Sequence, residues 1–287
     1  MSFPETVALG AIAGFTIYLG LPLGRIRRVD DRLRVCLAMF SVGMLAFIFM
    51  DVTKHGEAIL ETGVTQYKAS TAGFGHVLGL FALLTLGFTL GTAGISAIER
   101  RLRSRRSAPA PVAGGDAAAT LTQEQVARAR DGAEEARLRA LQTGMVIAVA
   151  IGLHNFAEGL AIGVSAKAGA IGLATVLIIG FGLHNATEGF GIVGPLGGAR
   201  PSWAWLGRAG LIGGGPTLLG TIVGYQVNSE PLELMFYALA GGAILYVIGE
   251  IWSGMRRYGH HTLGLYLIAA GFLTGVATDL IVSYGGG

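Results

Sequence analysis

A chain of 287 residues with 52% hydrophobic, 14% charged and 47 glycine residues is too apolar for an ordinary water-soluble domain. Its mean hydropathy of +0.59 comes from repeated apolar runs of about 20 residues, the length that crosses a hydrocarbon core. A net charge of +3 dispersed over connections leaves no face for nucleic acid, and the single cysteine, Cys36, excludes an internal disulfide or a cysteine-based metal finger. The opening Met1-Ser-Phe-Pro-Glu-Thr lacks a basic region before the first apolar run, so no cleavable leader is expected.

The pattern predicts an all-α polytopic membrane protein with eight spans. They are Val7–Leu23, Leu37–Thr53, Phe74–Ile95, Gly144–Ser165, Ala170–Pro195, Leu206–Val227, Leu234–Trp252 and Leu263–Ser283. The connections test this count. The first carries Arg25, Arg27, Arg28, Arg32 and Arg34, and the third carries nine arginines between Arg100 and Arg139. With Arg200, Arg208, Arg256 and Arg257, odd-numbered connections hold 18 of the 21 Lys and Arg residues; even ones hold Lys54, Lys68 and Lys167. The positive-inside rule then places odd connections in the cytoplasm and both termini outside.

Three regions follow: spans one to three over 1–99, a cytosolic loop over 100–141, and spans four to eight over 142–287. In the loop, Ser104 to Thr120 reads as a flexible linker rich in Arg, Ala, Pro and Gly. Thr122-x-x-Gln125 then has capping-box spacing, and the Arg/Glu/Ala text after it predicts a solvated polar helix running into span four.

The chemistry concentrates in a repeat. Gly152-Leu-His-Asn-Phe-Ala-Glu-Gly-Leu-Ala-Ile162 returns thirty residues later as Gly182-Leu-His-Asn-Ala-Thr-Glu-Gly-Phe-Gly-Ile192. Every polar group recurs: His154, Asn155 and Glu158 answer to His184, Asn185 and Glu188. On a helix each His–Glu pair is i, i+4, so both side chains share a face. One such pair is read equally well as a hydrogen-bonded core pair. Two copies, symmetric about residue 171, lie at similar depth roughly 15–25 Å below the intervening turn and are expected to converge near the bilayer middle. Neither apolar run contains Lys or Arg to neutralise the acids, which points to a mobile cation. Imidazole with carboxylate suits zinc and its neighbours better than calcium. Asn155 and Asn185 are ligands or helix cross-links.

Other ionisable groups line a possible path. Asp51 and His55, also i, i+4, lie at the outer end of span two, as an entrance funnel or in interfacial water. Glu250 near the inner end of span seven is an exit-side acceptor or a snorkelling side chain, and Asp279 lies near the outer end of span eight. Trp203, Trp205 and Trp252 fit interfacial belts.

Eight spans, a long loop after span three and HN-x-x-EG motifs in spans four and five resemble the ZIP (Zrt/Irt-like) divalent metal transporters of bacterial type. The resemblance implies a 3+2+3 arrangement with an inverted repeat. Spans one, four, five and six would move against two, three, seven and eight, in a homodimer in the plasma (bacterial inner) membrane. It makes His154, Asn155, Glu158, His184, Asn185 and Glu188 the metal ligands, with Zn2+, Fe2+, Mn2+ or Cd2+ as substrate and no resident cofactor. The chain departs from the family in having Ala157 and Thr187 where many members place a proline, and Gly215-Pro216 where members with a second metal site often have Glu-Pro. The expected function is metal uptake by alternating access, not an enzyme reaction. The rivals are an intramembrane zinc-dependent hydrolase, disfavoured by the absence of H-E-x-x-H, and a passive metal channel.

Overall fold

The computed structural model describes residues 1–26, 30–104, 123–167, 182, 185–196, 199–226 and 229–284, and among them every regular element is helical. Helix α1 comprises Phe3–Phe15, Ile17–Gly20 and a 3-10 turn at Leu21–Arg25. Helix α2 is Asp31–Lys68. Helix α3 is Phe74–Thr89, carried through a π-helical turn at Leu90–Gly94 into Ile95–Ser104. Helix α4 is Gln123–Lys167, and α5 is residues 185–193, ending in a 3-10 turn at Gly194–Leu196. Helices α6, α7 and α8 are Trp203–Gln226, Glu230–Met255 and His261–Tyr284.

Among the described residues, six segments are long and apolar enough to cross a membrane: Phe3–Arg25, Asp31–Lys68, Phe74–Arg101, Arg130–Lys167, Glu230–Met255 and His261–Ile281. Helix α6 has the length, 24 residues, but seven glycines dilute its apolarity. Most of expected span five, the linker and the capping Thr122 lie outside the described residues.

Two boundaries differ from the hydropathy reading for a physical reason. Apolarity ends near Thr53, yet α2 runs on to Lys68 through Glu57, Ala58, Glu61 and Gln66, which keep good helix propensity. Its start is capped: Asp30 accepts from the Leu33 amide at 2.7 Å. Helix α4 joins the expected polar helix to span four without a break. From Arg130 to Arg139 its polar part is exposed and carries the ion pairs Arg137–Glu134 and Arg139–Glu135, each at 2.9 Å. Trp203 and Trp252 are exposed as an interfacial belt requires, whereas Trp205 is buried and lies against Gly144.

Glycine decides which helices touch backbone to backbone. A Cβ on Gly159 of α4 would sit 2.1 Å from the Thr217 carbonyl oxygen of α6, and one on Gly220 of α6 would sit 2.0 Å from that of Phe156. Gly14 of α1 and Gly214 of α6 approach reciprocally, at 2.2 and 2.1 Å from each other's carbonyl oxygen. Gly20 of α1 does the same to Ala186 of α5, at 2.2 Å. Together α1, α4, α5 and α6 form one group held at distances only glycine permits.

A second group forms likewise. Cβ atoms on Gly91 of α3 and Gly242 of α7 would each sit 2.3 Å from a carbonyl oxygen of the other helix. Gly43 of α2 and Gly271 of α8 repeat this at 2.1 Å. The glycines where α5 meets α2 and α7 are looser. A Cβ on Gly191 would find Ile251 at 3.5 Å and Ser41 at 3.7 Å, ordinary van der Waals distances. Helices α4 and α7 meet through side chains, with the Phe156 and Phe236 ring centroids 4.6 Å apart.

This packing predicts a contrast between two alanine substitutions. Gly159→Ala forces α4 from α6 and should cost about 1–3 kcal/mol. Gly249→Ala adds its methyl where no atom lies within 4 Å, and should be neutral or slightly stabilising. Thermal unfolding of the purified protein in detergent checks this; equal midpoints for the two variants would contradict the packing.

Candidate metal site

Most of the described buried polar side chains lie on the first group of helices. His154, Asn155 and Asn185 are 0% exposed, Glu188 is 1% and Glu158 is 5%, amid apolar neighbours. The helical spacing acts as expected on α4: His154 Nε2 lies 2.8 Å from Glu158 Oε1. Helix α5 brings the second copy to the first. Glu188 Oε1 is 3.9 Å from His154 Nε2, and Glu188 Oε2 accepts a hydrogen bond of 3.1 Å from Asn155 Nδ2. Thus His154, Asn155, Glu158 and Glu188 meet inside the protein.

His184 lies outside the described residues. Among the described residues no group of three or more His, Cys, Asp and Glu is closed enough to hold a metal ion by itself.

The asparagines have a double role that sequence alone leaves open. Asn155 Nδ2 also donates to the Gly213 carbonyl of α6 at 2.9 Å, and Asn185 Nδ2 donates to the Ala13 carbonyl of α1 at 3.0 Å. A carbonyl oxygen only accepts, so both amides are oriented by chemistry. Each amide therefore cross-links its helix to a neighbour while its Oδ1 stays buried with no hydrogen-bond partner among the described residues. A buried orphan acceptor is costly, and a cation would satisfy it. Pro216, inside α6, has no N–H to donate to the Ile212 carbonyl, the neighbour of the Gly213 carbonyl that Asn155 reaches.

The flanking residues divide. Asp51 is half-buried on α2 and lies within electrostatic reach of Glu158 and His154. His55 Nδ1 meets the Asp51 backbone oxygen at 2.9 Å and its Oδ2 at 3.8 Å. Because the backbone oxygen only accepts, Nδ1 carries the proton, and in the neutral ring Nε2 keeps a lone pair for a cation. Asp279 on α8 is exposed and interacts electrostatically with Asp51. Glu250 is half-buried on α7, one turn beyond Tyr246.

Three features escape a reading of the sequence. Tyr237 of α7 packs its ring 5.4 Å from that of His55, and Glu233 lies one turn further out on the same face. Tyr246 of α7 donates to the buried Glu99 of α3. Ser41 of α2 donates to the Thr187 carbonyl of α5 at 2.9 Å, one residue before Glu188. Only Glu233 and Tyr237, at i and i+4 near the start of an apolar run, left a trace in the sequence; Ser41 and Glu99 meet partners distant in the chain.

Comparison with known proteins accords with this arrangement. The family model described as ZIP zinc transporter matches residues 2–249. The chain is 27% identical over 284 residues to the zinc transporter ZupT of Clostridium perfringens, covering 96% of this chain and 94% of that one. It is 26% identical over 275 residues to the zinc transporter ZupT of Streptococcus mutans, covering 92% of each. A family match across both motif copies and most of the chain, on an all-helical fold with membrane-spanning helices, makes this protein a member of the ZIP zinc transporter family, a family of transporters rather than enzymes.

Proposed function

We propose that this chain carries zinc, or a closely similar divalent cation, across the plasma membrane into the cytoplasm. The metal is the cargo, held between α4 and α5 by His154, Glu158, His184 and Glu188, with the Oδ1 atoms of Asn155 and Asn185 completing the shell. One observation carries the reading: Glu188 of the second motif copy reaches His154 and Asn155 of the first at 3.9 and 3.1 Å, in a region almost closed to solvent. Nitrogen and oxygen donors of this kind favour zinc, iron and manganese over calcium.

Alternating access is the mechanism we infer, with α1, α4, α5 and α6 moving as a unit against α2, α3, α7 and α8. Its support is the glycine contacts, which tie α1, α4, α5 and α6 together at backbone distance and pair α3 with α7 and α2 with α8, while those around Gly191 are ordinary. The same contacts favour a 3+2+3 arrangement with an inverted repeat. Asn155 on α4 ties to α6 as Asn185 on α5 ties to α1, and the α2–α8 glycine pair mirrors the α7–α3 pair. Asp51 and His55 then lie on the entrance side, with Asp279 near them, and Glu250 lies towards the exit. Both termini face outward, by the arginine distribution, and two copies assemble as a homodimer. A passive channel is the second reading, distinguished by uptake that does not saturate.

Zinc uptake into proteoliposomes tests the site. Wild-type uptake should saturate, and Glu188→Gln should lower the initial rate at sub-saturating zinc by about tenfold or more, since one charged ligand is lost. A Glu188→Gln protein that is monodisperse in detergent and transports like wild type would remove Glu188 from the site. Acid should act in the same direction. Protons compete with zinc for imidazole and carboxylate lone pairs, so zinc affinity at pH 5.5 should fall below that at pH 7.5. Binding titrations at the two pH values read this directly, and an affinity that rises on acidification would contradict a His/Glu shell.

A further inference from the structure

Ser41 is 1% exposed, and its hydroxyl behaves unlike the others on its helix. A Ser or Thr inside a helix ordinarily returns its hydroxyl to the carbonyl four residues back. Thr53, Thr62 and Thr65 of α2 do so, bonding Phe49, Ala58 and Glu61. Ser41 instead leaves its own helix and donates 2.9 Å across to the Thr187 carbonyl of α5. That bond passes from one glycine-packed group to the other, and its acceptor is the residue before Glu188. The contact around it is smooth. Gly191 faces Ser41 itself, and a Cβ on Gly194 would sit 3.2 Å from the Ala38 Cβ.

We propose that Ser41 is a positioning residue that sets the height of α5, and hence of Glu188, against α2. This rests on the alternating-access reading above. Where the surroundings are dry, a hydroxyl that loses its acceptor is costly, so the bond opposes heights at which no carbonyl of α5 faces Ser41. Helical carbonyls on one face recur about every 5.4 Å. When α5 slides by one turn, the Thr187 carbonyl leaves and the carbonyl of the adjacent turn arrives, so Ser41 releases one acceptor and takes the next. The bond is present at both resting positions and absent between them. It therefore slows the movement without changing how the metal is bound, an indexed one-turn step of the kind known between other packed helices.

Two measurements in proteoliposomes test this. Ser41→Ala should raise the maximal rate of zinc uptake about threefold, the scale of one hydrogen bond between membrane helices, with KM and zinc affinity in detergent unchanged. Ser41→Thr, which restores a hydroxyl, should return the wild-type rate. An unchanged or slower rate in Ser41→Ala overturns the proposal. The second measurement uses Ser41→Cys with Gly191→Cys in a Cys36→Ala background. The Cβ positions lie 3.7 Å apart, within the disulfide range. Oxidation should stop uptake and reduction should restore it. Undiminished uptake by the oxidised protein defeats alternating access along this contact; a block by oxidation, with Ser41→Ala like wild type, defeats the positioning role alone.

Discussion

Everything in this molecule answers to one constraint: ionisable side chains are buried in helices meant for hydrocarbon. Glu158 and Glu188 are at most 5% exposed, and neither surrounding apolar run contains Lys or Arg. Ionised carboxylates taken from water without compensation cost several kcal/mol each. The structure compensates in part through His154 and the amide of Asn155. On the proposed reading, a cation that comes and goes stabilises them further. A resident lysine would stabilise these acids permanently and abolish the site; a divalent cation stabilises them only while it is bound.

The same constraint explains the glycines. A cargo site has to be rigid within itself, because ligand geometry sets affinity, yet movable relative to whatever seals it from either side. Backbone approaches that only glycine allows bind α4 to α6, α1 to α6 and α1 to α5. The amides of Asn155 and Asn185 reinforce two of these pairs from within the site. The other four helices are bound by equivalent approaches. Between the sets lie side chains of a shared hydrophobic core, the Phe156–Phe236 ring pair and the Ser41 hydroxyl among their contacts.

Much of this was legible in the chain, for identifiable reasons. The all-helical fold and the centres of the six described spans follow from apolar runs, because hydrocarbon imposes length. The meeting of the two motif copies follows from symmetry about residue 171. What hydropathy cannot see is how far a helix runs once it is no longer apolar, hence the long polar end of α2. Nor can it assign Trp205, whose place depends on the small Gly144 opposite it. The roles of Asn155 and Asn185 needed coordinates: an amide carries both a donor and an acceptor, and only the partners Gly213 and Ala13 reveal which end is spent on packing. His184 and the expected fifth span before it lie outside the described residues, so their part in the cage rests on the motif repeat.

The claim that α4 and α5 jointly bind the metal is tested most directly by X-ray absorption at the zinc edge, on purified protein loaded with one equivalent of zinc. The wild type should give a first shell of nitrogen and oxygen at about 2.0–2.2 Å with imidazole scattering and no sulfur. The imidazole contribution should fall in His184→Ala. A shell containing sulfur, or one unchanged by His184→Ala, would place the metal elsewhere and contradict the account.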